Sequence, residues 1–386
     1  MLGDDTAKMP RIVVVGAGCF GAWTAYRLVK AGHDVTVVDA YGPGNSRSSS
    51  GGETRIVRMG YGDAAVYTRW SRRSLELWRG ILEGAGAPLF LRTGVLWMGR
   101  EGDPYAAATL ATLDEAGVKH ERLLRADLDR RWPQVDFDAI ALGIFEPDSG
   151  VLLARRAVAA IAGAAVRAGA RYVAASISPP SGEGRLDSVA TASGQAFRGD
   201  VFVFACGPWL ATLFPELLRD RFFVTRQEVV YFGPPAGDGR FAPPSLPAWI
   251  DFGSEMYGVP DIEGRGFKIA LDRHGPPFDH DGGARTPGET FDAVRAYVER
   301  RFPALAGAPI VGAEVCQYEN TSNGDFLIDR HPSFENVWLV GGGSGHGFKH
   351  GPAVGEYAAR LIDGAAAPDP RFLLAAKERV QRRSVF

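Results

Sequence analysis

Residues 11–39 carry a strand–glycine turn–helix–strand run that leaves few folds open to this chain. Arg11 to Val15 (RIVVV) is a short apolar, β-branched run, the pattern of a strand buried in a parallel sheet. Gly16-Ala17-Gly18-Cys19-Phe20-Gly21 follows and passes into a helical pattern, AWTAYRLVKAG. Phe20, Ala25, Leu28 and Val29 share one face of that helix, and Gly32 ends it. A second strand, Val35 to Val38, ends at Asp39 and Ala40, about twenty residues beyond the glycines. The three glycines serve different mechanical ends. Gly16 permits the tight turn, Gly18 lets the backbone approach a pyrophosphate, and Gly21 allows close helix–strand packing. The helix N-terminus offers free N–H groups and partial positive charge to phosphates, and Asp39 can accept hydrogen bonds from a ribose. This βαβ unit predicts a dinucleotide site; alone, it leaves NAD and FAD both open.

The rest of the chain narrows that choice. With 386 residues there is room for two domains. A glycine- and serine-rich loop, YGPGNSRSSSGGETRIVRMG, precedes an expected helix over Tyr67 to Leu82. Leu91 to Met98 reads as a strand, two helical stretches follow before Pro133, and Val151 to Ala170 reads as one Ala-rich helix leading into a strand at Arg171 to Ala175. Alternation around Leu186 to Ala192, a Ser193-Gly194 turn and a return strand over Val201 to Ala205 predict a hairpin feeding the parallel sheet. Residues 221–320 hold most of the prolines and several short strand-like runs, as an antiparallel domain would. Near the end, Val337 to Val340 again meets a glycine loop and a helix. The expected fold is therefore α/β plus antiparallel β. A discontinuous Rossmann-type FAD-binding domain (1–84, 150–220 and 322–386) surrounds an α+β substrate domain (85–149 and 221–321). NAD dehydrogenases more often keep the Rossmann repeat in one stretch, so the split favours a flavoprotein.

Composition removes other classes. Net charge is −2 with no basic stripe, which argues against nucleic acid. No apolar run reaches the ~18 residues of a membrane span. Met1 to Pro10 is polar, without the apolar core of a signal peptide, and reads as a short tail. Three scattered cysteines, Cys19, Cys206 and Cys316, form neither a disulfide framework nor a zinc site. That cysteine usage leads to the expectation of a reducing, cytoplasmic setting, and the histidines are read as lacking a ligand spacing such as H-x-x-x-H, so no metal is expected.

Four segments, GAGCFG…VVDA, GGETRIVRMGYG, MYGVP…FKIA and CQYENTSNGDFLIDRHP…GGGSGHGFKHGPAVGE, together resemble the monomeric sarcosine oxidase family of FAD-dependent oxidases of N-methyl and other secondary amino acids. The resemblance spans residue 11 to about 360 and implies a two-domain arrangement like that of p-hydroxybenzoate hydroxylase. It implies that Cys316 is bonded to the 8-methyl carbon of the flavin, chemistry that nearby positive charge favours by stabilising the thiolate. It places Arg55 against the flavin, gives Arg58 and Lys349 the substrate carboxylate, and sets Lys268 beside the flavin to promote reaction with oxygen. Tyr257 and Tyr318 resemble active-site tyrosines, and Cys206-Gly207-Pro208-Trp209 resembles a Gly-x-Trp contact with the flavin side of FAD. The Gly343, Gly345 and Gly347 loop, with His346 and Phe348, precedes a helix whose N-terminus could face the flavin pyrimidine ring. Ser46, Ser49 and Ser178 are further cofactor candidates.

One departure stands out: four or five residues after the lysine, where the family usually has a histidine, this chain has Asp272 and Arg273, with His274 beyond them. Either His274 reaches the substrate side or a carboxylate does, and a carboxylate would suit a substrate with a second positive charge. The implied reaction is hydride loss from the neutral amine of a secondary or N-substituted amino acid, without a dedicated base, to give an imine and then hydrogen peroxide from oxygen. A dehydrogenase using another electron acceptor is the alternative, and the family leans to monomers.

Overall fold

The computed structural model describes residues 9–83 and 88–382; most of the polar start and the expected boundary between residues 84 and 85 lie outside the described residues. The first strand (β1, Arg11–Val15) enters the core, the first helix (α1) covers Cys19–Lys30, and the second strand (β2, Asp34–Asp39) returns parallel to β1. These form the middle of a six-stranded sheet whose strands run in the order Leu327–Arg330, Val337–Gly341, Val201–Phe204, β1, β2 and Arg171–Ala174. All neighbours are parallel except the pair Leu327–Arg330 and Val337–Gly341. Strands from three remote stretches thus share one sheet, and apolar residues of α1 and the helix Gly351–Ile362 pack on one face of it.

An eight-stranded sheet forms the second layer system. Its order is Ile310–Asn320, Phe223–Phe232, Phe267–Leu271, Met256–Val259, Ala248–Asp251, Val95–Gly99, Leu142–Glu146 and Glu121–Leu124. It is antiparallel apart from the pair Ala248–Asp251 and Val95–Gly99. Trp249, Phe267, Tyr297 and Phe302 fill its core with the helix Phe291–Arg301. A small three-stranded sheet pairs Thr54–Val57, within the glycine- and serine-rich segment, with Gly150–Leu153, which in turn pairs with Phe90–Leu91.

Three expectations about elements need correction. The run from Leu91 to Met98 is two strands, Phe90–Leu91 and Val95–Gly99, because Gly94 turns the chain at φ +71°. The helix expected from Val151 starts only at Ala154; Gly150–Leu153 is a buried strand paired with Thr54–Val57. Continuous apolar runs fit a buried strand or a buried helix equally, and here a pairing partner far back in the chain decides. The hairpin closes on Ala196–Arg198 rather than on Val201, which belongs to the six-stranded sheet.

Candidate active site

The turn after β1 is built as its glycines require. Gly16 has φ +107°, and a Cβ there would stand 2.3 Å from the Ala205 carbonyl oxygen. At Gly21 a Cβ would stand 1.9 Å from the Gly16 oxygen, so α1 can cross the turn only with glycine at that point. Gly18 N-caps α1 without a side-chain partner, and the first turn carries no acid, which leaves its N–H groups for an anion. Asp39 at the end of β2 accepts the Ala17 N–H at 2.7 Å on one oxygen, and the Tyr41 and Gly42 N–H groups on the other. It borders a cavity of about 370 Å³, within the roughly 300–1,000 Å³ of small-molecule and cofactor sites.

That cavity runs past Gly16, Gly18, Cys19, Phe20, Asp39 and Ala40 to Ser49, Arg55, Gly343, Gly345, Gly347 and Phe348. Cys206, Gly207 and Trp209 also line it. Trp209 packs 5.5 Å from Tyr41 and donates to Asp281 at 2.8 Å, which puts its ring toward the Asp39 end rather than the expected flavin end. Ser46 and Ser178 do not line the cavity; Ser48, Ser49, Ser50 and Ser176 do. The Ser178 N–H pairs with Ala190 in the hairpin, and Ser46 is exposed, its backbone packed against Gly51. Ala17 and Gly21 shape the turn without facing the cavity.

A second cavity of about 80 Å³ shares Arg55, Tyr318, Gly345 and Phe348 with the first. Arg58, Lys349, Asp272, Tyr257, His346 and Cys316 also line it. Arg55 donates to the carbonyls of Thr54 and Ser49, both at 2.8 Å, and the nitrogen that reaches Ser49 also lies 3.4 Å from Cys316 Sγ. The Arg58 guanidinium lies between the rings of Tyr61 (4.3 Å) and Trp97 (4.7 Å) and donates to Gly60 O at 2.5 Å. Lys349 Nζ donates to the Tyr61 hydroxyl at 2.9 Å and to His346 O at 3.0 Å. Burial, with the Arg58 charge behind it, draws the Lys349 ammonium well below the ordinary lysine range. Burial pushes the Tyr257 phenol upward, so its proton stays in place.

Asp272, not His274, faces this cavity: His274 lies 2.6 Å from Gln381, away from it. Burial pushes the Asp272 carboxyl up to about 6, against the pull of the Arg58 and Lys349 charges. Lys268 is buried but lines neither cavity; its Nζ donates to Thr54 O at 3.0 Å and Thr54 Oγ1 at 3.2 Å, and Thr54 lines the smaller one. Burial, then the Arg55 charge, draws the Lys268 ammonium down to about 7.

Residues missed from the sequence hold this site in shape. Glu146 accepts the Met59 and Gly60 N–H groups, the Trp97 indole N–H and the Ser149 hydroxyl, so it fixes the loop that carries Arg58. His346 and His350 do stand at H-x-x-x-H spacing, contrary to the expectation from the sequence, but their rings bond other groups. His346 Nε2 lies 3.0 Å from Gly324 O, and His350 Nε2 lies 2.7 Å from the Tyr61 hydroxyl. Among the described residues no three His, Cys, Asp or Glu side chains are grouped to hold a metal. Nor is any helix among them long and apolar enough to cross a membrane.

The larger cavity suits FAD on its own features. The Gly16 cradle excludes any Cβ, the α1 N-terminus is uncapped, and two buried oxygens of lining residues, Ser49 Oγ and Glu319 Oε2, have no partner. The fold and this site define a flavin-dependent oxidoreductase. Residues 11–361 match the FAD dependent oxidoreductase family (DAO), and the chain belongs to it. It is 32% identical to the monomeric sarcosine oxidase of Bacillus sp. (strain B-0618), over 91% of each chain. It is 29% identical to the N-methyl-L-tryptophan oxidase of Citrobacter koseri, over 92% of this chain and 94% of that one. The solved L-proline dehydrogenase from P. horikoshii shares the fold, with a TM-score of 0.82 at 23% identity over 95% of this chain and 97% of that one.

Proposed function

We propose that the chain oxidises the C–N bond of a secondary or N-methyl amino acid, giving an imine and, with oxygen as electron acceptor, hydrogen peroxide. The observation that carries this reading is the set of charges around the smaller cavity: Arg55 and Glu228 are already taken up by protein partners, which leaves two cations, Arg58 and Lys349, and one carboxylate, Asp272, for a ligand beside the end of the FAD cavity. A free amino acid is a zwitterion and offers one group to each side of that arrangement, its carboxylate to the two cations and its ammonium to Asp272. Arg58, braced between two rings and a carbonyl, presents a planar fork to the carboxylate, and Lys349 adds a point charge. Asp272 then receives the ammonium. The amine must lose that proton before its lone pair can support an iminium, and the crowd of cations favours the loss.

FAD, when bound, supplies the hydride acceptor and passes the electrons onward. The α1 N-terminus, Gly16 and Gly18 would hold its pyrophosphate, Asp39 its ribose, and Cys316, 3.4 Å from the Arg55 guanidinium, would tether it covalently. Lys268 acts on the oxygen step as a positive charge behind Thr54. Residues 1–84, 150–220 and 322–386 are assigned to the cofactor and 85–149 and 221–321 to the substrate. The protein works as a cytoplasmic monomer. The test is peroxide release from purified protein across N-methyl, cyclic and glycated amino acids, with acid precipitation to see whether yellow colour stays in the pellet. Turnover of a secondary amino acid with colour retained supports the reading. Reduction of an artificial acceptor without peroxide would move it to a dehydrogenase, and colour lost to the supernatant would remove the tether.

A further inference from the structure

One buried acid in the larger cavity takes no part in the reaction proposed above. Glu319 sits in the strand Ile310–Asn320, three residues after Cys316, and only 7% of it is exposed. Its Oε1 accepts the Gly343 N–H at 3.2 Å, while Oε2 has no partner and a Cβ on Gly207 would stand 2.9 Å from it. Gly207 follows Cys206, whose backbone nitrogen borders the Gly16 turn, so Glu319 stands along the stretch between the pyrophosphate turn and the catalytic end.

We propose that Glu319 is held as a neutral carboxylic acid and donates a hydrogen bond from Oε2 to the ribityl–phosphate chain of FAD. An ionised carboxylate buried without a cation is costly, and beside a pyrophosphate it is also repelled. A neutral acid reverses the role: it offers a donor to a ligand segment rich in acceptor oxygens. Burial pushes the Glu319 carboxyl up to about 7, and only the Gly343 N–H pulls the other way. The other ionisable groups round the cavity do not rescue the charged form. Arg55 is committed to Thr54, Ser49 and Cys316, Asp39 to three N–H groups, and Asp281 to Trp209. Burial pushes the Cys19, Cys206 and Tyr318 protons to higher pH, so they stay neutral.

Infrared spectra of the holoenzyme at pH 6, in H2O and D2O, read the proton directly. A carboxylic-acid carbonyl band that shifts in D2O and vanishes in Glu319→Gln is expected. The second measurement uses a Cys316→Ser background, so that FAD can dissociate, and follows its fluorescence on titration. With Glu319 present, affinity should fall ~10-fold between pH 6 and pH 8.5 as the acid ionises; Glu319→Gln should bind within ~2-fold of the parent at pH 6 and stay flat with pH. Glu319→Ala should bind ~10-fold more weakly than the parent at pH 6. A holoenzyme with no such band, or unchanged FAD affinity in Glu319→Ala, overturns the proposal. If Glu319→Gln fails to fold, Glu319→Ala and the parent's pH profile of FAD affinity still decide. The inference rests on FAD as cofactor and not on the substrate class, so a protein that behaves this way yet oxidises no amino acid refutes only the latter.

Discussion

Replacing Asp272 by Asn should make the protein more stable at pH 8 and a poorer enzyme. The Asp272 carboxyl titrates at about 6 in the folded protein against an ordinary 3.8. Between those values the folded protein keeps a proton that the unfolded chain has released, so stability falls as pH rises through the interval and stays reduced above it. Linkage gives a cost of ~3 kcal/mol at pH 8 and ~0.6 kcal/mol at pH 4, and partial contact with solvent trims the larger figure toward ~2 kcal/mol. Asn carries no such cost. Urea unfolding of D272N should therefore show a gain of ~2–3 kcal/mol over the parent at pH 8 and only ~0.6 kcal/mol at pH 4. Loss of the ammonium partner should lower kcat/KM ~30-fold, as removal of a buried charge partner worth ~2 kcal/mol does. A D272N protein no more stable than the parent at pH 8, or one with unchanged kcat/KM, would refute the reasoning that a carboxylate is kept here against its stability cost for the substrate's sake.

Arg58→Lys keeps the charge but loses the planar fork and its stacking between Tyr61 and Trp97, so KM in steady-state assays should rise at least ~10-fold. Lys268→Met should leave anaerobic flavin reduction near the parent rate while slowing reoxidation ~100-fold in stopped flow. In the parent, reoxidation should slow as pH rises through about 7, where the Lys268 ammonium loses its proton. Gly21→Ala forces a Cβ to within 1.9 Å of the Gly16 oxygen; purified G21A should carry far less FAD, and full occupancy by absorbance would contradict the role given to the turn.

The sequence is most legible where structure is local. RIVVV, the glycine turn, the helix and Asp39 lie within about 30 residues, and each pattern has a short-range physical reason, so β1, α1 and β2 fall close to where they are expected. Legibility ends where distant strands decide. Val151 to Leu153 reads as helix until Thr54–Val57 pairs with it, and Ser178 looks free until Ala190 takes its N–H. The site shows the same division. Arg58, Lys349 and Tyr257 are visible through a resemblance of motifs, and the structure gathers them round one cavity. Glu146 carries no motif, and Glu319 lies within CQYEN but with no role implied there: an acid in a strand looks the same whether it caps a loop, faces a cofactor or meets solvent. The choice between Asp272 and His274 depends on where the strand Phe267–Leu271 ends and which side chain just beyond it turns inward.

Anaerobic titration of the yellow holoenzyme with N-methyl amino acids tests the central claim most directly, with the matching amines that lack a carboxylate as controls. Bleaching of the flavin absorbance by at least one secondary amino acid and not by its carboxylate-free amine is the predicted result. Equal bleaching by both would contradict the carboxylate clamp of Arg58 and Lys349. No bleaching by any secondary amino acid would contradict the proposed reaction itself.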